Sequence, residues 1–293
     1  MKGKIICLKA DLFKVMDLES KEIYDAKASG LFRMKKQNLL VGDVVNFDAL
    51  EDKKAYITEV FKRQNELVRP PIANIDLAII AMSVKEPVFN DNLLDRFLTI
   101  LSFNNIETLI LFTKWDLLSK EEEINMNQIC SYYEQIGYQI IKTTTKEKET
   151  VNNLINIVDN KVCVITGQSG VGKSSLLNLI DPNLNLETND ISLALGRGKH
   201  TTRHVELIPF NNGWIADTPG FGTMDFRGMS ETDIAQSFHE FFEHSKECKY
   251  NGCLHKNEPN CKVKEKLTNN EILKSRYDNY LQFIEECKSL RKW

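Results

Sequence analysis

Short apolar runs, each broken by a polar turn, open the chain. Gly3–Leu8, Leu12–Met16, Val44–Phe47 and Ala55–Phe61 are rich in β-forming residues, and stretches such as Leu18–Lys21 and Leu50–Lys54 separate them. No useful helical period occurs in residues 1–67. Several short strands at this spacing predict a small barrel, with the oligonucleotide-binding fold as the natural candidate. Arg69-Pro70-Pro71 ends the pattern, predicts an extended linker and marks the first boundary.

From Ile75 the texture changes. Ile75–Ala81, apolar apart from Asp76, and Thr108–Phe112, apolar after its first residue, read as strands buried on both faces. Asn92–Ser102, Glu121–Tyr133 and Thr150–Val158 read as helices between strands, and Tyr138–Ile141 and Lys161–Thr166 as strands. Helix Lys173–Ile180, strands His204–Pro209 and Trp214–Ala216, a single helix Thr232–His244 and a helical pattern over Asn270–Leu290 follow. This alternation predicts a doubly wound α/β domain with a mainly parallel sheet and ligands at the carboxyl ends of its strands. The predicted division is a barrel at 1–68, the α/β domain at 69–229 and a helical, metal-binding C-terminal domain at 230–293.

Composition narrows the class without naming a chemistry. Of 293 residues, 42% are hydrophobic and 27% charged, with a net charge of −3, which excludes wholesale disorder. No run approaches the ~18 apolar residues of a membrane span. Lys9 and Asp11 interrupt any leader-like core, so a cytoplasmic, membrane-free protein is expected. Nothing in the pattern signals an oligomer, so a monomer is expected. The charge is uneven. Residues 1–70 hold 14 basic against 11 acidic side chains, and residues 246–293 hold 11 against 7, which leaves the middle acidic. Basic ends suit contact with a polyanion.

The sharpest motif is Gly167-Gln168-Ser169-Gly170-Val171-Gly172-Lys173-Ser174, which fits G-x-x-x-x-G-K-[ST] between a predicted strand and a predicted helix. Its glycines turn backbone N–H groups toward phosphate oxygens, and the helix N-terminus adds a favourable dipole. Lys173 reaches the β- and γ-phosphates, and Ser174 is a ligand for Mg²⁺. Ser175 extends the contact set. Asp217-Thr218-Pro219-Gly220 fits D-x-x-G, in which Asp217 holds Mg²⁺ through water and the Gly220 N–H senses the γ-phosphate.

Thr113-Lys114-Trp115-Asp116 fits [NT]-K-x-D, the guanine-reading motif. The Asp116 carboxylate accepts from the ring N–H and the exocyclic amine of guanine, a paired donor edge that adenine lacks. Thr113 stands where Asn is commoner. Without the Asn amide to brace the phosphate loop, weaker guanine affinity is expected, with specificity kept. Thr143 and Thr144, in the loop after Tyr138–Ile141, are candidates to meet the guanine oxygen through backbone N–H groups.

The glycine-rich basic stretch Gly196–His204 offers Thr201 or Thr202 to complete Mg²⁺ coordination. Phe221 follows Gly220, where a water-orienting Gln is common, so slow intrinsic hydrolysis is expected. His200 is the first candidate for the missing catalytic group and His204 the second. The motif order is itself informative. The guanine-reading motif precedes the phosphate loop, a circular permutation of the usual GTPase order. Near the C-terminus, Cys248-x₄-Cys253-x-His255-x₅-Cys261 is a complete Cys₃His set for one structural Zn²⁺. Lys249, Lys256, Lys262, Lys264 and Lys266 surround it and suit phosphate contacts.

Together these residues resemble the bacterial small-ribosomal-subunit-dependent GTPases of the RsgA family, also called YjeQ or YloQ. The resemblance runs through Val41-Gly42-Asp43 with Val45, Arg69-Pro70, Ala73–Asp76, Gly167–Asn178, Arg197–Thr202, Asp217–Gly220 and the cysteine segment with Glu258-Pro259. It implies an oligonucleotide-binding barrel, a permuted GTPase domain and a zinc domain. It implies GTP hydrolysis stimulated by the small subunit, contact with its 16S rRNA, a role in late maturation, and His200 as the catalytic histidine. Arg203 stands where a third Thr is common in the family. Two other readings stay open: an rRNA-binding module that keeps GTP as a structural ligand with negligible turnover, and an ATP-dependent enzyme, which Asp116 opposes.

Overall fold

A computed structural model describes residues 1–9, 12–28, 38–144, 148–184, 205–217 and 225–290. Among them no helix is long and apolar enough to cross a membrane. The chain forms two compact units.

The first unit comprises Met1–Ala78, Val151–Thr166 and Gly172–Phe221. Strands β1 (Lys2–Lys9), β2 (Leu12–Asp17), β3 (Ile23–Ala28), β4 (Val44–Ala49) and β5 (Lys54–Val60) make the expected barrel. Neighbours run 1-2-3-5-4, and β1 pairs with β4 to close it. Ile5, Val15, Tyr24, Ala26, Val45, Phe47, Ala55 and Ile57 fill its interior. β3 is absent from the sequence-based strand set because it sends only Tyr24 and Ala26 inward among exposed Ile23, Asp25 and Lys27.

The predicted extended linker is instead a tight hairpin. Residues 68–71 form the turn between β6 (Glu66–Leu67) and β7 (Ile72–Ala73). Both prolines sit in that turn, where no backbone donor is demanded of them. The hairpin is bolted to the barrel. Asp43, fully buried, takes two bonds from Arg63, at 2.7 and 2.9 Å, and one from the Leu40 N–H. Gly42, at φ 92°, lies against Ala73, whose carbonyl oxygen would be 2.0 Å from any Cβ there.

The same unit holds α3 (Lys148–Val158), β11 (Val162–Gly167), α4 (Lys173–Ile180), β12 (Glu206–Phe210) and β13 (Gly213–Asp217). β13 runs parallel to β11 and antiparallel to β12, and β12 pairs with β1 through Cys7 and Glu206.

The second unit comprises Ile79–Thr150, Gly167–Val171 and Gly222–Trp293. β8 (Leu77–Ser83) is buried along its whole length, followed by β9 (Thr108–Thr113) and β10 (Gln139–Lys142), the last two parallel. α1 (Asp91–Phe103) starts from an Asn90 cap, and α2 (Lys120–Gln135) from a Ser119–Glu122 capping box. Four helices complete the unit: α5 (Glu231–Ser237), α6 (His239–Ser245), α7 (Lys262–Thr268) and α8 (Lys274–Leu290).

The single helix predicted for Thr232–His244 is therefore two. Phe238 breaks it with extended backbone, and its ring packs against Phe241, Tyr280 and Phe283. The predicted Asn270–Leu290 helix begins only at Lys274, after Asn270 at φ 59°.

Arg276, 1% exposed, ties these helices together. It donates to Glu240 Oε1 and Oε2 at 2.5 and 3.1 Å, and to Asp95 Oδ1 at 2.5 Å. Tyr133 and Asn279 also donate to Asp95, and Tyr132 to Glu240. Burial pushes the Asp95 carboxyl above its ordinary range. Burial acts on Glu240 in the same sense, but the Arg276 charge and hydrogen bonds hold that group below its ordinary value. α1 and α2 are thus joined to α6 and α8 by a cluster of one cation and two carboxylates in a dry environment.

Candidate nucleotide site and metal centre

β11 is built from Val162, Cys163, Val164, Ile165 and Thr166, all buried, and ends at Gly167. Gly167 adopts φ 137°, and a Cβ there would lie 1.9 Å from the Ala81 carbonyl oxygen. Only glycine passes this point. Gln168 and Ser169 lead on to Gly170 and Gly172, also at positive φ, at 79° and 92°. Val171 is buried beneath the loop. α4 opens at Lys173 from a Gly172 cap that offers no side-chain acceptor. First-turn N–H groups without a side-chain cap suit phosphate oxygens. Ser174 and Ser175 lie in that first turn, both half-buried. Burial lowers the Lys173 ammonium to about 8.

The guanine-reading segment leaves the end of β9. Thr113 is buried, and its hydroxyl donates to the Val171 carbonyl at 2.8 Å. This corrects the premise that the phosphate loop goes unbraced without the amide. The shorter Thr side chain braces the phosphate loop with its hydroxyl. Lys114 takes a left-handed conformation, and its ammonium donates to the Glu86 carbonyl. Asp116 lies in a short 3-10 turn and is exposed.

Trp115 fixes the turn. Its backbone N–H donates to the Thr143 carbonyl at 3.3 Å, its indole N–H donates to Glu123 at 3.2 Å, and the Lys142 ammonium sits 4.8 Å over its ring. The Thr143 N–H donates to Phe112 at 2.7 Å, extending the sheet, so it is not available to a guanine oxygen. Thr144 follows, also buried. β13 ends on Asp217, one strand from β11. The Asp217 side chain, Gly220, Phe221 and the candidates His200, Thr201, Thr202 and His204 lie outside the described residues.

The four predicted metal ligands converge. The ligand atoms of Cys248, Cys253, His255 and Cys261 lie within 4.8 Å of one another. Cys248 Sγ is 3.8 Å from His255 Nδ1 and 4.0 Å from Cys261 Sγ, and His255 Nδ1 is 3.3 Å from Cys261 Sγ. Metal–ligand bonds of 2.0–2.3 Å at tetrahedral angles give edges of roughly 3.5–3.8 Å, so the set fits zinc. Burial lowers the His255 imidazole to about 4, which keeps it neutral, and raises the Cys253 thiol to about 12. A cation is what would let such thiols ionise.

Sequence reasoning missed the shell behind the ligands. Glu258 accepts backbone N–H groups from Leu254, Lys256 and Asn257 at 2.9, 2.8 and 3.0 Å. Tyr277 and Tyr280 donate to the carbonyls of His255 and Leu254 at 2.5 and 2.6 Å. These bonds hold the ligand knuckle in place. The only signal was Glu258-Pro259 beside the cysteines, and it carried no role.

Family comparisons agree with this geometry. The family model described as RsgA GTPase matches residues 60–227, and the RsgA N-terminal domain model matches residues 2–57. The chain belongs to the RsgA GTPase family. It is 49% identical to the small ribosomal subunit biogenesis GTPase RsgA 2 of Oceanobacillus iheyensis, with 90% of each chain covered. It is 47% identical to the RsgA of Bacillus pumilus, over 98% of this chain and 97% of that one. The crystal structure of YloQ, described as a circularly permuted GTPase, superposes with TM-score 0.84 at 37% identity, covering 98% and 95% of the two chains. YjeQ from Thermotoga maritima superposes with TM-score 0.84 at 31% identity, covering 98% of each. The RsgA fold thus supplies the barrel, the permuted GTPase order and the helical C-terminal region with its Cys₃His group.

One expectation about that region needs correction. Lys256, Lys262 and Lys266 pair with Glu285, Glu265 and Glu271, and the Lys249 ammonium lies over the Tyr250 ring. Three of the five lysines credited with phosphate contacts are thus already matched by carboxylates.

The Thr113 bond is directly testable in an RsgA chain. Thr113→Val keeps the shape and leaves the buried Val171 carbonyl without this donor, a loss of about 1–3 kcal/mol. Fluorescent GDP titration should show roughly tenfold weaker binding for Thr113→Val and near-normal binding for Thr113→Ser. Equal affinities for all three proteins would remove the bracing role.

Proposed function

We propose that this GTPase acts in late maturation of the small ribosomal subunit, as a cytoplasmic monomer that binds 16S rRNA and is stimulated by the subunit. The observation that carries this reading is the Thr113–Val171 bond. It joins a guanine-reading strand end to a phosphate loop in a chain whose relatives are named for small-subunit biogenesis. In this reading residues 1–68 form the RNA-binding barrel, 69–229 the GTPase domain and 230–293 the zinc domain.

The loop Gly167–Gly172 wraps the phosphates through backbone N–H groups, and Lys173 neutralises the β- and γ-oxygens. Ser174 and Asp217 would hold Mg²⁺, Asp217 through water, with Thr201 or Thr202 completing the set. The half-buried Ser174 hydroxyl at the start of α4 fits that role. When bound, Mg²⁺ neutralises charge that develops on the phosphate oxygens. Asp116 reads the guanine edge, Lys114 flanks it and Thr144 lies at the guanine-oxygen loop. The Gly220 N–H senses the γ-phosphate. His200 orients the attacking water that Phe221 cannot. The Cys₃His group holds structural Zn²⁺. Elemental analysis should return one zinc per chain, and Cys253→Ser should lose most of it. Full metal content in that variant would disprove the ligand set.

Phe221 favours a second reading, in which GTP is a structural ligand of an rRNA-binding module. Multiple-turnover phosphate release with and without purified small subunits separates the two. Stimulation of about tenfold or more supports the subunit-triggered enzyme. Unstimulated turnover with GTP still bound supports the module.

A further inference from the structure

The turn that carries Asp116 is held on both sides by one loop. The chain leaves β8 at Ser83, whose hydroxyl accepts the N–H groups of Lys85 and Glu86 at 3.4 and 3.1 Å. On the incoming side of the turn, the Val84 N–H donates to the Thr113 carbonyl at 3.2 Å, and the Lys114 ammonium donates to the Glu86 carbonyl. On the outgoing side, the Lys85 ammonium donates to both Glu122 oxygens, at 3.0 and 2.9 Å. The Glu122 carboxylate also accepts the Ser119 N–H at 2.7 Å, and Ser119 Oγ accepts the Glu122 N–H at 3.3 Å, which closes the capping box of α2. The Lys85 and Ser119 bonds hold the Glu122 carboxyl down to about 2.

Asp116 and this cap are close in the chain. Leu117 and Leu118 bond back to the Lys114 and Trp115 carbonyls at 3.0 and 3.3 Å, and Ser119 follows directly. The Trp115 indole donates to Glu123, the next residue of α2, so the first turn of that helix and Asp116 move together.

No motif includes Lys85, and a loop lysine 37 residues ahead of its partner reads as a solvated charge. For folding the pair counts for little, since its side chains are 40% and 45% exposed and water screens them. Its position gives it another use. One carboxylate must meet two guanine donors at once, so a small rotation of the Trp115–Leu117 turn loses one of them. The incoming contacts alone leave the exit of the turn free to pivot. The Lys85–Glu122 pair ties that exit to the same loop.

We propose that Lys85 is a positioning residue for guanine recognition: through Glu122 it fixes the exit of the turn that carries Asp116. This rests on the proposed base-reading role of Asp116. The pair acts on the choice of base and not on the phosphates.

The test compares wild type, Lys85→Met, Lys85→Arg, Glu122→Gln and the double variant Lys85→Met with Glu122→Gln, all in the full chain. GDP and IDP are titrated, with thermal melting as the fold control. The hypoxanthine of IDP lacks the exocyclic amine and can make only one of the two bonds to Asp116. Lys85→Met should lower the GDP-over-IDP affinity ratio by about fivefold with melting unchanged. Lys85→Arg, whose fork fits the same carboxylate, should stay near wild type. The double variant should lose no more than Lys85→Met alone, since the two side chains act as one unit. An unchanged ratio in Lys85→Met overturns the proposal, as does an equal loss of GDP and IDP. Additive losses overturn it too, since Lys85 would then act by a route other than Glu122. A wild type that binds GDP and IDP equally would instead remove the base-reading role of Asp116 itself.

Discussion

Replacing Arg276 with methionine should remove about 3–5 kcal/mol of folding stability, the largest stability effect expected of any single substitution here. The side chain is 1% exposed and joins Asp95, which is fully buried, to Glu240. Methionine fills much of the volume but leaves two carboxylates in the dry interior with no cation. Both must then take up protons to stay buried. A carboxyl whose folded value lies above its unfolded value binds more protons when folded, so stability falls as pH rises through that window. The Arg276→Met chain should therefore be less handicapped at pH 5 than at pH 8. Urea unfolding at the two pH values checks both statements. A variant as stable as wild type at pH 8 would mean that the cluster contributes nothing net. Adding Glu240→Gln to Arg276→Met should return part of the loss, since it removes one of the stranded charges.

Lys173→Ala should weaken GTP binding about 100-fold, from the loss of charge-assisted bonds worth about 3 kcal/mol. Its pH behaviour is a sharper check. Burial lowers the Lys173 ammonium to about 8 in the protein without nucleotide. Bound phosphates favour the ammonium and raise that value again. Above pH 8, binding must then bring a proton with it, so affinity falls by up to about tenfold per pH unit. Below pH 8 this group imposes no slope. Titration of GTP affinity from pH 7 to 9.5 at fixed salt should show the break in wild type and none in Lys173→Ala. A flat wild-type profile would rule out the burial account of Lys173.

Much of the architecture was legible because the burial is extreme. β8 and β9 are apolar without interruption, and such runs have few alternatives as buried parallel strands. The phosphate loop was legible because its glycines obey local steric rules, which the Gly167–Ala81 approach makes explicit. What escaped was set by partners far away in the chain. Phe238 splits a helix because a hydrophobic core formed with Tyr280 and Phe283 outweighs local helical preference. Arg276 and Asp95 sit in helices with mixed polar sequence and read as solvent-facing until 181 residues of separation are folded away. Thr113 was judged by what it lacks. Its hydroxyl matters only because the Val171 carbonyl lies 2.8 Å away, a fact no spacing rule contains. The catalytic candidates His200, Thr201 and Thr202 rest on sequence alone.

The pairing of β1 with β12 has a consequence for how the chain can be cut. An exposed strand edge presents unpaired backbone groups and invites a second molecule to add its own strand. Here the outer side of β12 is met by the first barrel strand at Cys7 and Glu206. The barrel therefore doubles as an end-stop against aggregation. A shortened chain that begins after it would carry a sticky edge in place of a covered one.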